Sequence, residues 1–536
     1  DFITPEVTVD VSFLRAGILL ESQVSENSAL YFSARQSLIH LYIENILDDE
    51  DFSFQQAPIN NDYQFKYLYN LDDNNKLVLQ ATGSNDEVAL LFADDSDQVL
   101  QNPELAGGIS SDSYYHNQGL VWTNFSDYGE TKFILNRLER SADFTIGQIL
   151  DLNAVTTDYL AKVKNIQGFD SGVLTSGVDV STQNINYTVT GKRQPCNRDF
   201  EVCPPSYFAP QTTEKSEIDI RFITTFADFD WDVSDDVILK LGTSINNNNF
   251  NAQTFFEPRL ALKWRFVDDY QFKMAYGQHH QWFRKYQYLS DTFGAPDLEL
   301  ARSNHYVLGI EYESGSDWAW RLESYYKKMF DLIVANPLAQ INEIDGTADS
   351  NEPNYINEGI GEAYGIEFLL NKAISERWYG WLSIAYSKTN RTNEITDEAF
   401  NYQFDLPWIV NLVANYEFND KWQLGGRWRL QSGALNTPIV GTTPIYLEGS
   451  DTPLFYDPIE GELNSERFEE FHRLDIRLDY QTRWFGKDTQ VYFEVLNVYG
   501  QQSVSGYDYN ADYTEREETY EFPSSPIPSI GVQMVF

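Results

Sequence analysis

The feature that most constrains this chain is an alternation of apolar and polar residues, repeated in segments of about ten residues. In 408–418, Trp408, Val410, Leu412, Ala414, Tyr416 and Phe418 share one face, with Asn411, Asn415 and Glu417 on the other. Past the turn at Asn419-Asp420, Trp422, Leu424, Trp428 and Leu430 are expected to face outward, and Gln423, Arg427, Arg429 and Gln431 inward. Leu474, Ile476, Leu478 and Tyr480 oppose Arg473, Asp475, Arg477 and Asp479 in the same way. Alternate residues of a strand point to opposite faces, so each segment is a ribbon with one apolar and one charged side. Such charges would cost roughly 2–4 kcal/mol each against lipid, so they belong in a wet or filled lumen while the apolar side meets the bilayer.

Connection lengths extend this reading. Short polar turns recur at 25–28, 72–75, 125–130, 168–172, 232–236, 267–269, 314–317, 375–377, 419–421 and 486–488. Between them lie longer segments rich in Asp, Asn, Gly and Pro, at 40–61, 93–112, 190–216, 330–356, 431–470 and 499–526. Short periplasmic turns and long extracellular loops give a transmembrane antiparallel β-barrel of about 22 strands, all-β, with both termini periplasmic. The whole of 1–536 is expected to form a single barrel domain. Ile530, Val532, Met534 and the terminal Phe536 alternate with Ser529, Gly531, Gln533 and Val535. A closing strand that ends on an aromatic resembles the assembly signal of outer-membrane barrels.

Composition agrees. Aromatics reach 15 % although mean hydropathy is only −0.44, as expected when girdle residues and a lipid face are averaged with a polar lumen. No run of about 18 apolar residues is present, which excludes a helical span. A net charge of −43 argues against nucleic acid, whose phosphates need clustered Lys and Arg. The two cysteines, Cys196 and Cys203, sit in a polar, Pro-flanked stretch without a CxxC spacing, and are expected to form a loop disulfide in an oxidising compartment.

Several segments resemble the barrel of TonB-dependent outer-membrane transporters. They are the early YFSARQSLIHL (31–41), FEPRLALKW (256–264), FKMAYGQHHQ (272–281) and APDLELARSNHYVLGIEYE (295–313). YINEGIGEAYGIEFLL (355–370), LQSGALNTP (430–438), EVLNVY (494–499) and PSIGVQMVF (528–536) follow in the expected order. The resemblance implies an outer-membrane receptor of a Gram-negative bacterium, with a plug domain in the lumen and, ahead of it, a short box that pairs with TonB. Asp1–Leu14 already reads as barrel strand, so either the plug lies outside this chain or the barrel works without one.

Catalytic motifs are lacking: there is no GxSxG, P-loop or HExxH, and no enzyme is expected. GIGEAYG (359–365) misses dinucleotide-binding spacing and precedes a strand. His279 and His280 are adjacent, and alternation sends them to opposite faces. The acidic clusters 48–51 and Asp94, Asp95 and Asp97 carry oxygen ligands suited to Ca²⁺ but read by default as solvated loop charge. The loop aromatics Tyr114, Tyr115, Tyr507, Tyr509, Tyr513 and Tyr520 are candidates to stack on a ligand, against a role in girdle or loop packing. Arg427, Arg429, Arg473, Asp475, Arg477 and Asp479 are expected to pair across the inner wall and to contact a plug or a passing substrate.

The expected function is plug-gated, TonB-energised uptake of one scarce solute captured by the extracellular loops. Expected partners are outer-membrane lipid and lipopolysaccharide, the plug and through it TonB, and a surface lipoprotein. The alternative is a non-energised channel or a barrel scaffold within a larger envelope complex.

Overall fold

The computed structural model describes residues 5–41, 52–192, 195–203, 211–283, 286–290, 293–295, 297–313, 317–339, 352–375, 377–446, 449–520 and 524–536. The acidic cluster 48–51 lies outside the described residues, as do parts of the turns at 314–317 and 375–377. Twenty-two antiparallel strands close into one wall. Closure is made by Glu6–Ser12 against Ile527–Val535, in register from Thr8↔Val535 to Ser12↔Gly531. A short strand, Glu398–Asn401, adds only to the upper end of Trp378–Asn393.

Two aromatic bands mark the membrane. Tyr276, Tyr306, Tyr326 and Tyr364 stand in register across neighbouring strands and form the outer band. Toward the short-turn end, Trp318 meets Trp378 at 5.5 Å, Trp422 meets Tyr480 at 4.5 Å and Trp122 stacks on Phe133 at 4.9 Å. Between the bands Leu308, Leu322 and Ile366 are exposed, as lipid-facing residues of a barrel are when no lipid is present.

Strand length departs from the sequence reading. Ile527–Val535 has 9 residues, but Gly172–Lys192 has 21 and Gln211–Ser234 has 24. About 9–11 tilted residues cross a bilayer, so one side of the wall rises well above the membrane. Gln211 pairs with Lys192 near the top of these two strands, so both ends of 190–216, expected as loop, are ladder. The same applies to 40–61, part of which lies in Phe52–Asp72. The cause is an inversion of the pattern. Val178 and Val180 face lipid, whereas higher in the same strand Ile185, Tyr187 and Val189 face inward and are buried. Outward positions there are Asn184, Asn186 and Thr188, a polar face where the wall stands clear of lipid.

What buries that inner face is the connection between Tyr270–Gln281 and Ala301–Glu313, which folds into the lumen. Leu289 packs with Ala154, Ile185, Tyr187, Val189, Ile218 and Ile220. Glu214 accepts hydrogen bonds from the Tyr187 hydroxyl (2.7 Å) and from Ser290 Oγ (2.5 Å). Two other expectations change. Glu6–Ser12 ends in a turn, and a second strand begins at Arg15, so Asp1–Leu14 is not one strand. Tyr114 and Tyr115 are not on a loop: they lie inside Ile109–Ser126, paired with Asn85 and Ser84.

Candidate functional site: a roofed mouth over a charged lumen

Cys196 and Cys203 are disulfide-bonded, with Cα atoms 5.7 Å apart. Their loop leaves the top of Gly172–Lys192, crosses the mouth and docks on Trp318–Ala335, Tyr355–Ser375 and Glu398–Asn401. Asn197 Nδ2 donates to the Ile333 carbonyl (2.6 Å), and Gln403 Nε2 donates to Asp199 Oδ1 (2.5 Å). Phe200 meets Phe400 edge-on at 6.1 Å and lies over Gly359, where a Cβ would come within 2.6 Å of its ring. Burial raises the pKa of Glu201 above the ordinary carboxylate value. Burial also raises the Tyr288 hydroxyl, helped by Tyr355, Asp199 and Glu201 nearby.

A second cover comes from the other side. The hairpin of Val504–Tyr509 and Arg516–Tyr520 reaches the short helix Asp97–Gln101, where Gln98 Nε2 donates to Asp508 Oδ2 (3.2 Å) and the Gln101 amide to the Tyr509 carbonyl. This hairpin gathers three candidate aromatics. Tyr507 packs on Phe468 at 5.3 Å under the Arg516 guanidinium at 4.0 Å, and Tyr509 meets Tyr513 at 5.5 Å. Tyr520, at the hairpin's far end, bonds Glu518 at 2.7 Å. Tyr114 is elsewhere, on the outer face beside His116 (5.3 Å) and Glu139 (3.3 Å). Asp94 and Asp95 are exposed just ahead of the helix. Asp405 ties neighbouring loops together: its buried carboxylate accepts from Lys388 Nζ (3.0 Å), Arg467 Nη2 (2.8 Å) and the Thr389 amide (2.7 Å).

Below the roof, the inner wall carries a charged ladder that continues across the closing seam. Arg473 pairs with Asp475 at 3.0 Å, and Arg477 with Asp479 at 2.9 Å and Glu494 at 4.0 Å. Arg477 lies 3.9 Å over the Tyr492 ring, whose hydroxyl donates to Asp10 Oδ1 at 2.8 Å; Asp10 in turn holds Arg15 at 3.1 Å. Arg429 donates to Gln431 (2.5 Å) and lies 5.9 Å from the Phe471 ring. Arg427 stands opposite Asp475 but is exposed, and forms no ion pair among the described residues. His279 meets His305 at 4.7 Å, while His280 bonds Glu257 at 3.1 Å.

The sequence reading missed Tyr492, Asp405 and the inward-folded loop. The last left a signal: Tyr288, Leu289, Phe293 and Leu298 are too apolar for a solvated connection, and all four are buried.

A closed 22-strand wall with two aromatic bands and a charged interior is an outer-membrane β-barrel of the Gram-negative type. The chain belongs to the TonB-dependent receptor family, whose receptor-like β-barrel model matches residues 24–498. Its solved neighbours share the fold at low identity. The outer membrane transporter YddB of Escherichia coli superposes with a TM-score of 0.69 at 11 % identity, over 100 % of this chain and 81 % of that one. For the FrpB iron transporter of Neisseria meningitidis the values are 0.68, 14 %, 100 % and 82 %. For the ferripyoverdine receptor of Pseudomonas aeruginosa, bound to ferripyoverdine, they are 0.67, 12 %, 99 % and 71 %. No curated protein matches the chain by sequence. Membership of this receptor family, not of an enzyme family, makes this an outer-membrane transport barrel of the TonB-dependent type.

Proposed function

We propose that the barrel imports one scarce solute, taken up beneath the roof and released through a plugged lumen at the expense of TonB-coupled energy. The observation that carries this reading is the roof itself. Loops from separated parts of the wall meet over the mouth through the Asp199–Gln403, Gln98–Asp508 and Arg467–Asp405 contacts. An open channel gains nothing from such a cover, whereas a receptor needs surfaces that can close on a ligand. Tyr507, Tyr509 and Tyr513, with Arg516 beside them, offer ring faces and a cation to that ligand. Arg427, Arg429, Arg473, Asp475, Arg477 and Asp479 supply the polar wall that a folded plug would dock against, and Arg427 has its charge to spare.

The test is electrical. In planar bilayers the complete native protein is expected to show little steady conductance, because a lumen this wide leaks unless filled. Large, constant conductance would reject gated uptake and leave an open channel.

A further inference from the structure

Beneath the disulfide loop, the inner wall carries cations that neither the roof contacts nor the ladder at the seam uses. On five neighbouring strands the outward positions are marked by Met274, Tyr306, Leu322, Ile366 and Tyr386, all exposed toward lipid. Residues of the other parity therefore face the lumen. They stand in register as a lower row, Gly277, His305, Lys327, Ala363 and Thr389, and an upper row, His279, Ser303, Met329, Gly361 and Arg391. Inward cations on other strands are matched by carboxylates: Lys162 by Asp179 (3.4 Å), Arg259 by Asp228 (3.2 Å) and Lys273 by Glu311 (2.5 Å). Lys327 and Arg391 enter no ion pair among the described residues; they lie instead 5.2 Å from the Tyr325 ring and 4.0 Å over Tyr402. Arg391 is only 9 % exposed, and a guanidinium held that far from water without an ion-paired carboxylate is costly. The disulfide loop brings Asp199 near enough to act on its charge.

We propose that this patch receives a carboxylate of the imported solute, and that Asp199 holds its place beside Arg391 until the solute arrives. The inference deepens the uptake reading and rests on it. Three observations select an occupant of that chemistry. First, two cations without ion-pair partners face one stretch of wall, in a chain where 81 acidic residues stand against 38 Lys and Arg. The inward carboxylates of the same strands, Glu323 and Glu367, lie two rows below Lys327, and Glu323 already holds Arg321 at 3.3 Å. Second, the floor is small residues with donors leaning over it. A Cβ at Gly361 would come within 2.8 Å of Arg391 Nη1, and one at Gly365, a row below Ala363, within 2.8 Å of the Tyr325 hydroxyl. In the upper row the Ser303 hydroxyl is buried without a hydrogen-bond partner, a further polar group in the patch. Third, the roof itself presents a carboxylate to Arg391, on a loop whose hold includes the exchangeable Gln403–Asp199 bond. Guanidinium grips a carboxylate through two parallel N–H···O bonds, so a solute group can take over from Asp199 and leave Arg391 matched. Lys327, on the neighbouring row, adds a second positive charge to the same occupant.

The test is calorimetric titration of the complete protein in mild detergent, with citrate as the carboxylate probe and trimethyl citrate as its uncharged counterpart. The native protein is compared with Asp199→Asn, which keeps an acceptor for Gln403, and with Lys327→Gln and Arg391→Gln. Heat-shifted gel mobility shows that each barrel is folded, and Lys327→Gln, which removes no buried charge, keeps the test open if Arg391→Gln is not. Citrate is expected to bind Asp199→Asn at least fivefold more tightly than the native protein. Affinity is expected to fall at least tenfold in Lys327→Gln and Arg391→Gln, and trimethyl citrate is expected not to bind. Absence of citrate binding to Asp199→Asn would overturn the proposal, as would equal affinity in the native protein and Lys327→Gln. Equal affinity in the native protein and Asp199→Asn would remove Asp199 from its role, and inorganic phosphate binding as tightly as citrate would reject a carboxylate as the group selected. Titration needs neither TonB nor movement of a plug, so these outcomes are independent of the conductance that tests gated uptake.

Discussion

Gly531 is the position where a single added methyl group should most directly test how the barrel closes. Tyr492 reaches Asp10 by crossing the closing strand directly over Gly531. A Cβ built at Gly531 would lie 2.2 Å from Tyr492 Cζ and 2.4 Å from its hydroxyl oxygen. Gly531→Ala must therefore displace the ring. The bond from Tyr492 to the Asp10 carboxylate is lost, which costs about 1.5–3 kcal/mol for a charged acceptor. The Arg477 contact over the ring is lost too, about 0.5–2 kcal/mol. The expected destabilisation is about 2–5 kcal/mol. Urea titration in detergent micelles reads it, with folded barrel scored by its shifted gel mobility. In a Tyr492→Ala background the obstacle is gone, and Ala is better than Gly in a strand by roughly 0.5–1 kcal/mol. There Gly531→Ala should stabilise, so the sign of the effect reverses between backgrounds. Equal cost in both would refute the argument that Gly531 is present to let Tyr492 pass.

Further expectations concern the roof. Replacing Cys196 and Cys203 by Ser frees a short loop whose closure is worth about 2.5 kcal/mol in the chain-entropy account, so amide exchange should rise across 195–203 while the wall's urea midpoint stays put. Burial raises the Glu201 pKa, so its protonated form is the one docking favours. Docking should thus be tightest at acid pH and weaken as pH climbs from the ordinary glutamate value of about 4.3. Limited proteolysis of the loop against pH would show that slope, and Glu201→Gln should flatten it; a slope unchanged in the Gln variant would assign it to another group. Asp405→Asn removes the charge that two cations share, and should release about 1.5–3 kcal/mol of loop closure. Faster exchange in 432–470 with an unaltered wall is the expected reading.

The barrel was legible because lipid and lumen impose opposite demands on adjacent residues, so Trp408–Asn419 and Phe471–Trp484 announce their faces directly. Legibility ended where those demands end. Above the membrane both faces meet water or other protein, and Ile185, Tyr187 and Val189 turn inward because the folded-in loop, not lipid, covers them. One rule for apolar residues, set by lipid on one side, therefore gives no account of which way that stretch faces. Tyr114 and Tyr115 were misplaced for the same reason, as tyrosines in a polar run that the ladder carries upward. The seam was hidden differently: Tyr492, Gly531 and Asp10 are far apart in sequence, and nothing local to any of them reveals the other two.

Roof and wall also differ in what holds them, and that difference bears on how uptake could proceed. The wall is a closed ladder in which every strand has two neighbours, so no part opens without breaking backbone bonds on both sides. Most of the roof contacts are side-chain bonds, such as Asn197 to Ile333, Gln403 to Asp199 and Gln98 to Asp508. Each is worth about 0.5–1.5 kcal/mol net. Contacts of that size can be exchanged for bonds to a ligand at little overall cost, whereas the Asp405 cluster, with a carboxylate fully withdrawn from solvent, cannot. Movement on ligand arrival is therefore expected in the disulfide loop and the tyrosine hairpin, pivoting against the fixed Asp405 tie. Cross-linking tests the assignment: Asn197 joined to Ile333 through introduced cysteines should abolish uptake, and a bridge between 405 and 467 should leave it intact. Loss of uptake from the second bridge alone would place the moving part on the wrong side.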